Sequence, residues 1–257
     1  MTDVRKLYIL LCGYETIRKS ACVRGAPRSI ILAPPICAYL METARGYVLF
    51  DTGLNSAPLA DVMGARAAYV NDNFPAPPIV LPEHEILPQL AELGVAPEDV
   101  TEVILSHAHS DHTGALSRFP KARVTIQRME HEAAFSEEGR RANAFANIAG
   151  DIDWHIIDGD FELMPGLDLL LTRGHRPGHQ SAVVRLPSGA TKVLVGDAAD
   201  LLENFETETL GSSMDDAAAL ASIRRLKSIA DRTGGELVPL HDPGFVERAL
   251  LAPAYYD

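Results

Sequence analysis

Val103-Ile-Leu-Ser-His107-Ala-His109-Ser-Asp111-His112-Thr-Gly114 places three histidines and an aspartate within six residues, directly after an apolar run. Residues 103–105 have the length and branching of a buried strand, and Thr113-Gly114 signals a turn, so the cluster is expected at a strand end. On an extended backbone His107, His109 and Asp111 alternate to one side while His112 faces another way, which presents two donor sets. Imidazole nitrogens and carboxylate oxygens both bind zinc, so this segment alone would fill most of one coordination shell and part of a second. With nine histidines in the chain, composition alone rarely produces such a cluster.

Outward from the cluster, residues 7–12, 36–43 and 47–51 read as strands, the last two joined by a hairpin at Ala44-Arg45-Gly46. Asp51 closes a buried strand, where it either orients a metal-bound histidine through its second ring nitrogen or forms an Asx turn. Residues 18–35 and 54–82, rich in Pro, Ala and Asn, are expected as long loops with room for one short helix. Pro75, Pro77, Pro78 and Pro82 stiffen a segment that either walls a pocket or packs on the surface. Residues 83–93 fit a helix ended by Gly94, with Ile86, Leu87, Leu90 and Leu93 facing the core.

Beyond the cluster, a strand at 123–127 and a helix at 128–135 are expected. A further helical stretch at 145–149 falls in a polar section, down to Asp153, that reads either as a lid over the site or, in preference, as a surface excursion. Strands at 156–157, 167–172, 181–186, 192–196 and 237–240 follow. Residues 215–232 read as an amphipathic helix with Leu220, Ile223, Leu226 and Ile229 inward, Ser213 as N-cap and Gly234 as its close. Two groups of strands interleaved with helices indicate an α/β protein whose sheets are covered by helices.

At 257 residues, 47% hydrophobic and 23% charged, residues 1–257 can bury a core as one domain without disulfides. A net charge of −12 opposes phosphate backbones and anionic lipid, so neither nucleic acid nor membrane is an expected partner. Bound divalent ions would still make a local positive centre, which leaves small anionic substrates open. Cys12, Cys22 and Cys37 are odd in number and lack CxxC spacing, so free buried thiols are expected. The apolar run at 7–12 is too brief for a signal-peptide core and no stretch reaches membrane length, which suggests a cytoplasmic protein.

The cluster has the pattern HxHxDH, and Gly174-His175-Arg-Pro-Gly-His179-Gln-Ser, Gly196-Asp197 and Leu240-His241-Asp242 follow it in order. In these residues the chain resembles the metallo-beta-lactamase superfamily of hydrolases. Lys6-Leu-Tyr-Ile, Asp51-Thr-Gly53, Gly159-Asp-Phe-Glu-Leu-Met-Pro-Gly166 and Asn204-Phe205 are most similar to its N-acyl homoserine lactonase branch. The resemblance implies a four-layer αβ/βα sandwich with metal ligands on loops along one edge of the central sheets. It implies two divalent ions, with zinc the first choice: one on His107, His109 and His175, the other on Asp111, His112 and His241, with Asp197 bridging. His109, where diiron oxygen-reducing relatives carry a carboxylate, points to the hydrolytic dizinc sites.

The implied reaction is ring opening of N-acyl homoserine lactones by a hydroxide bridging the two ions, with Asp111 as both ligand and catalytic proton carrier. His179 is assigned to hydrogen bonding behind the ligands, and His84, His131 and His155 to ordinary packing. The lactonases usually carry a tyrosine three residues after the bridging aspartate, where this chain has Asp200. Asp200 is therefore a candidate substrate-binding residue. It would accept a substrate N–H, be held protonated by burial, or turn away while Tyr255 or Tyr256 fills the space; an ionised carboxylate cannot donate as a phenol does. That departure keeps a dizinc hydrolase of a different lactone or ester as the alternative. The expected partner is a small-molecule lactone or ester, and monomer and homodimer both remain open. A protein that sequesters a ligand without turnover is the reading from another class, and seven intact ligand positions oppose it.

Overall fold

The computed structural model describes residues 2–141 and 152–257. Strand β1 (Val4–Tyr14) is apolar on both faces: Leu7 and Ile9 enter one buried cluster, Tyr8 and Leu10 another. A strand of that kind needs a layer on each side of its sheet. After a two-stranded ribbon of β2 (Ile17–Arg18) and β3 (Ile31–Leu32), the chain returns as β4 (Pro35–Thr43), antiparallel to β1. The hairpin into β5 (Gly46–Phe50) is followed by three parallel additions, β6 (Val100–Ile104), β7 (Arg123–Gln127) and β8 (Trp154–Ile157). A second sheet takes β9 (Phe161–Met164), β10 (Leu167–Leu171), β11 (Gln180–Arg185), β12 (Thr191–Gly196) and β13 (Glu236–Pro239), in the order β13-β12-β11-β10-β9.

The central core joins Ile9, Tyr39, Phe50 and Ile104 of the first sheet to Leu169, Val184, Leu194 and Val238 of the second. On the outer face of the first sheet, Leu49, Val103 and Ile126 pack with Ile86 and Leu90 of the helix Ile86–Glu92. On the outer face of the second, Val183, Val193 and Val195 pack with Ile223, Leu226 and Ala230 of the helix Asp216–Thr233. Each fully buried Leu contributes ~1.5–3 kcal/mol of transfer free energy. These contacts build the expected helix–sheet–sheet–helix order. Among the described residues, no helix is long and apolar enough to cross a membrane.

Several local details differ from the sequence reading. The helix expected from residue 83 starts at Ile86, because Pro82–His84 forms a separate 3-10 turn and Glu85 is extended; Pro88, in the first turn, has no N–H that needs a partner. The loop at 54–82 contains the helix Val62–Tyr69, capped by the Asp61 side chain accepting from the Met63 amide. Asp215, not Ser213, caps the helix Asp216–Thr233, its carboxylate accepting from the Ala218 amide; Ser213 instead accepts from Arg24 and donates to Asp216. Gly234 closes that helix at φ +62°, as expected. The helical stretch expected at 145–149, and most of the polar section around it, lie outside the described residues. All three cysteines are free and buried.

Candidate metal centre

The chemistry-bearing residues lie just past the ends of strands: Asp51 follows β5, His107 follows β6, His175 follows β10, Asp197 follows β12 and His241 follows β13. The chain does not stay extended through the cluster. After His109 it turns into the short helix Ser110–Thr113, so Asp111 leaves the alternation that would have set it beside His107 and His109. The resulting grouping is His107, His109, His175 and Asp197 in one cluster and Asp111, His112 and His241 in the other.

The geometry within each cluster is that of a coordination shell. His107 Nε2 and His175 Nε2 lie 2.8 and 3.1 Å from His109 Nδ1. His112 Nε2 and His241 Nε2 lie 3.2 and 3.6 Å from Asp111 Oδ2. Ligand atoms around a tetrahedral zinc are roughly 3.3 Å apart. Asp197 has one oxygen in each cluster: Oδ2 is 3.6 Å from His107 Nε2 and 3.3 Å from His175 Nε2, while Oδ1 is 3.3 Å from both His112 Nε2 and His241 Nε2. His112 Nε2 and Asp197 Oδ1 are buried without a hydrogen-bond partner, an arrangement that costs free energy unless a cation joins them. The donor set therefore fits two divalent ions with nitrogen and oxygen ligands.

A surrounding set of contacts aims these groups. His112 Nδ1 donates to Asp51 Oδ2 at 2.8 Å, which leaves Nε2 for the cluster. Asp51 is fully buried, has φ +62°, and also accepts from the Ser106 amide at 2.7 Å. Its placement selects the orienting role over a simple turn. His241 Nδ1 donates to the Pro35 carbonyl at 2.8 Å and His175 Nδ1 to the Ser212 carbonyl at 3.1 Å. His179 is not among the clustered donors; its Nε2 accepts from the Asp197 amide at 2.9 Å and its Nδ1 faces the Thr172 carbonyl. Gly196 permits this approach, since a Cβ there would stand 2.7 Å from His179 Nε2. His84, His131 and His155 pack against Tyr14, Phe135 and Phe161 respectively.

The electrostatics divide along the same line. Burial holds His109 down to about 3 and His107 well below its ordinary range, so both rings are neutral. Burial also opposes charge on His112 and His241, but the neighbouring carboxylates override it: His112 is held well above its usual value and His241 is raised to about 10. Asp111 and Asp197 are held below the carboxylate range by the same histidines, against the effect of burial.

Beside the clusters opens a cavity of about 640 Å³ whose wall includes His109 and Asp111. Leu54, Tyr69, Phe74, Pro78 and Met214 give it an apolar lining, while Glu15, Glu138 and Arg176 are its polar side chains. Of these wall residues, Pro78 belongs to the proline-stiffened segment expected either to wall a pocket or to pack on the surface, and it lines the cavity. The others come from separate segments, Tyr69 and Glu138 from the short helices Val62–Tyr69 and Glu137–Arg141, without a shared local pattern; Arg176, next to His175, had a positional signal. Burial and the Asp111 charge raise Glu15 to about 8. Asp200 is absent from this wall. It lies in a small recess with His175, Asp197 and Gly211, and burial together with the Asp197 charge raises it to about 6. Tyr255 stacks against Tyr8, and Tyr256 lies over Lys192, so neither C-terminal tyrosine enters the cavity.

Comparison with known proteins agrees with this architecture. The metallo-beta-lactamase superfamily pattern matches residues 35–241. An N-acyl homoserine lactonase of Bacillus cereus is 34% identical over 227 residues, covering 88% of each chain. One from Azorhizobium caulinodans is 30% identical over 269 aligned positions, covering 100% of both. A solved N-acyl homoserine lactone hydrolase, with N-hexanoyl-L-homoserine bound at its catalytic metal centre, superposes with a TM-score of 0.88 at 31% identity over the whole of both chains.

Proposed function

From the premise that this chain belongs to the metallo-beta-lactamase superfamily, we propose that it is a dizinc hydrolase that opens the ring of N-acyl homoserine lactones, its 257 residues forming one catalytic unit. The observation that carries the reading is Asp197, with one oxygen in each of two donor clusters beside a cavity with an apolar lining. His107, His109 and His175 would hold one ion, Asp111, His112 and His241 the other, and Asp197 both. Ions bound there supply Lewis acidity toward an ester carbonyl and lower the pKa of water toward neutrality.

The chain's own residues supply the rest. Leu54, Phe74 and Met214 take the acyl chain out of water, which favours an amphipathic substrate with an apolar tail over a polar one. Asp111 lines the same cavity, which supports its reading as the proton carrier. As water adds to the carbonyl carbon and the ring C–O bond breaks, the proton passes from water to an Asp111 oxygen and on to the departing ring alkoxide. His179 fixes the Asp197 backbone and Asp51 fixes His112, so both clusters keep their aim through the cycle. Asp200 lies in the recess beside Asp197, apart from the cavity that would take the substrate.

The test is proton release by the zinc-loaded protein with homoserine lactones of several acyl lengths, beside γ-lactones and aryl esters, with His109→Ala as control. Metal-dependent turnover of the acyl homoserine lactones, lost in the variant, is the expected result. Turnover confined to γ-lactones or esters refutes the substrate assignment.

A further inference from the structure

Glu130 is a fully buried carboxylate on the helix Arg128–Phe135, and its partners explain how a charge survives there. Oε1 accepts from the Ala108 amide at 3.1 Å, and Oε2 from the Gly178 amide at 3.2 Å. The third donor is Arg176 Nε, 3.0 Å from Oε1. This one side chain thus ties the backbone between His107 and His109 to the loop that follows His175. It also sets the plane of the Arg176 guanidinium.

That guanidinium is unequally used. It has five N–H groups; Nε serves Glu130, and Nη1 makes one long contact of 3.6 Å to Met214 Sδ. No protein acceptor lies at Nη2 among the described residues. Arg176 is 17% exposed at its side chain and lines the large cavity with His109 and Met214. A fixed donor with spare capacity therefore stands on a wall otherwise suited to a hydrocarbon chain.

We propose that Arg176 is a specificity-determining residue that selects acyl chains bearing a neutral oxygen acceptor close to the amide, such as a 3-oxo group, over unsubstituted chains of equal length. The inference rests on the reading of the protein as an N-acyl homoserine lactonase. A neutral acceptor suits the site better than a second carboxylate for two reasons. Glu130 already offsets the guanidinium charge, and Glu138 on the same cavity wall repels an anion. A charge-assisted hydrogen bond to a ketone is worth roughly ten- to hundredfold in kcat/KM when the alternative leaves the donor facing hydrocarbon.

The experiment compares 3-oxo and unsubstituted acyl homoserine lactones of one chain length on the zinc-loaded wild type, Arg176→Lys and Arg176→Gln. The reading is the kcat/KM ratio within each protein, because disturbance of the Glu130 contacts affects both substrates and cancels. The expected ratio is about ten or more in the wild type, lower in Arg176→Lys, and near unity in Arg176→Gln. A wild-type ratio near one, or an unchanged ratio in both variants, overturns the role of Arg176 while leaving the lactonase reading intact. If no acyl homoserine lactone turns over while γ-lactones or esters do, the lactonase reading fails and takes this inference with it.

Discussion

Replacing Asp51 by Asn changes one atom at a site far from solvent, and its consequence can be worked through the hydrogen bonds. Asn tolerates the left-handed backbone that Asp51 adopts at φ +62°, so the turn is preserved. The side-chain oxygen must continue to accept from the Ser106 amide, 2.7 Å away, or two N–H groups face each other in a dry interior. That leaves the new NH2 pointing at His112 Nδ1 across 2.8 Å. The imidazole must then present a lone pair at Nδ1 and carry its proton on Nε2, the atom that faces Asp111 and Asp197. A protonated Nε2 cannot bind a metal ion. Loss of an orienting partner of this type costs about 10- to 100-fold in metal affinity, or ~1.4–2.7 kcal/mol. The loss is confined to the ion at Asp111, His112 and His241, because Asp51 makes no contact with the three histidines of the other cluster. Chelator-competition titration with zinc, resolving two dissociation constants, reads this directly. Wild-type affinity for both ions in Asp51→Asn would refute the argument.

Two further outcomes follow from the same site. His112 and His241 have pKa values raised above the ordinary 6.5 in the folded metal-free protein, so each holds a proton near neutrality that an ion must displace. Affinity at their cluster should therefore rise with pH until the region of His241's value of about 10, with protons released on loading. His107 and His109 are already neutral and should release no proton on loading; calorimetry in buffers of different ionisation enthalpy counts the protons. Asp200→Asn should change kcat/KM by no more than about threefold, since the side chain lies in a recess outside the main cavity, whereas a loss above roughly hundredfold would place Asp200 against the substrate.

The sequence was most legible where spacing and chemical type coincide. His107, His109, Asp111 and His112 could be read as ligands because few other uses require four such side chains in six positions. Their partition could not be obtained from strand alternation, because the backbone becomes helical at Ser110 and rotates Asp111 toward His112 and His241. The elements were legible from apolar runs such as that of β1 and from helical spacing such as Leu220 to Ile229, whereas the four-layer order came only with the resemblance carried by the motifs. Ser213 illustrates the limit for caps: three polar residues near one helix start all suit the role, and tertiary contacts to Arg24 decide in favour of Asp215. Glu15, Tyr69 and Arg176 were not legible as one cavity wall because segments far apart in the chain bring them together. The buried carboxylate of Glu130, in a helix read for its apolar residues, likewise gave no local sign of its three donors.

The hydrogen bond from His241 to the Pro35 carbonyl joins residues 206 positions apart. One end belongs to the second strand of the first sheet's initial antiparallel pair, and the other follows the last strand of the second sheet. A polypeptide that has not brought those ends together has no correctly aimed third donor for the second ion. Ion uptake there is thus a checkpoint on completed assembly, and by mass action the bound ion adds ~2.7 kcal/mol to the folded state at a hundred times its dissociation constant. Supply of the bound ion would consequently set how long an assembled molecule persists as well as how fast it works.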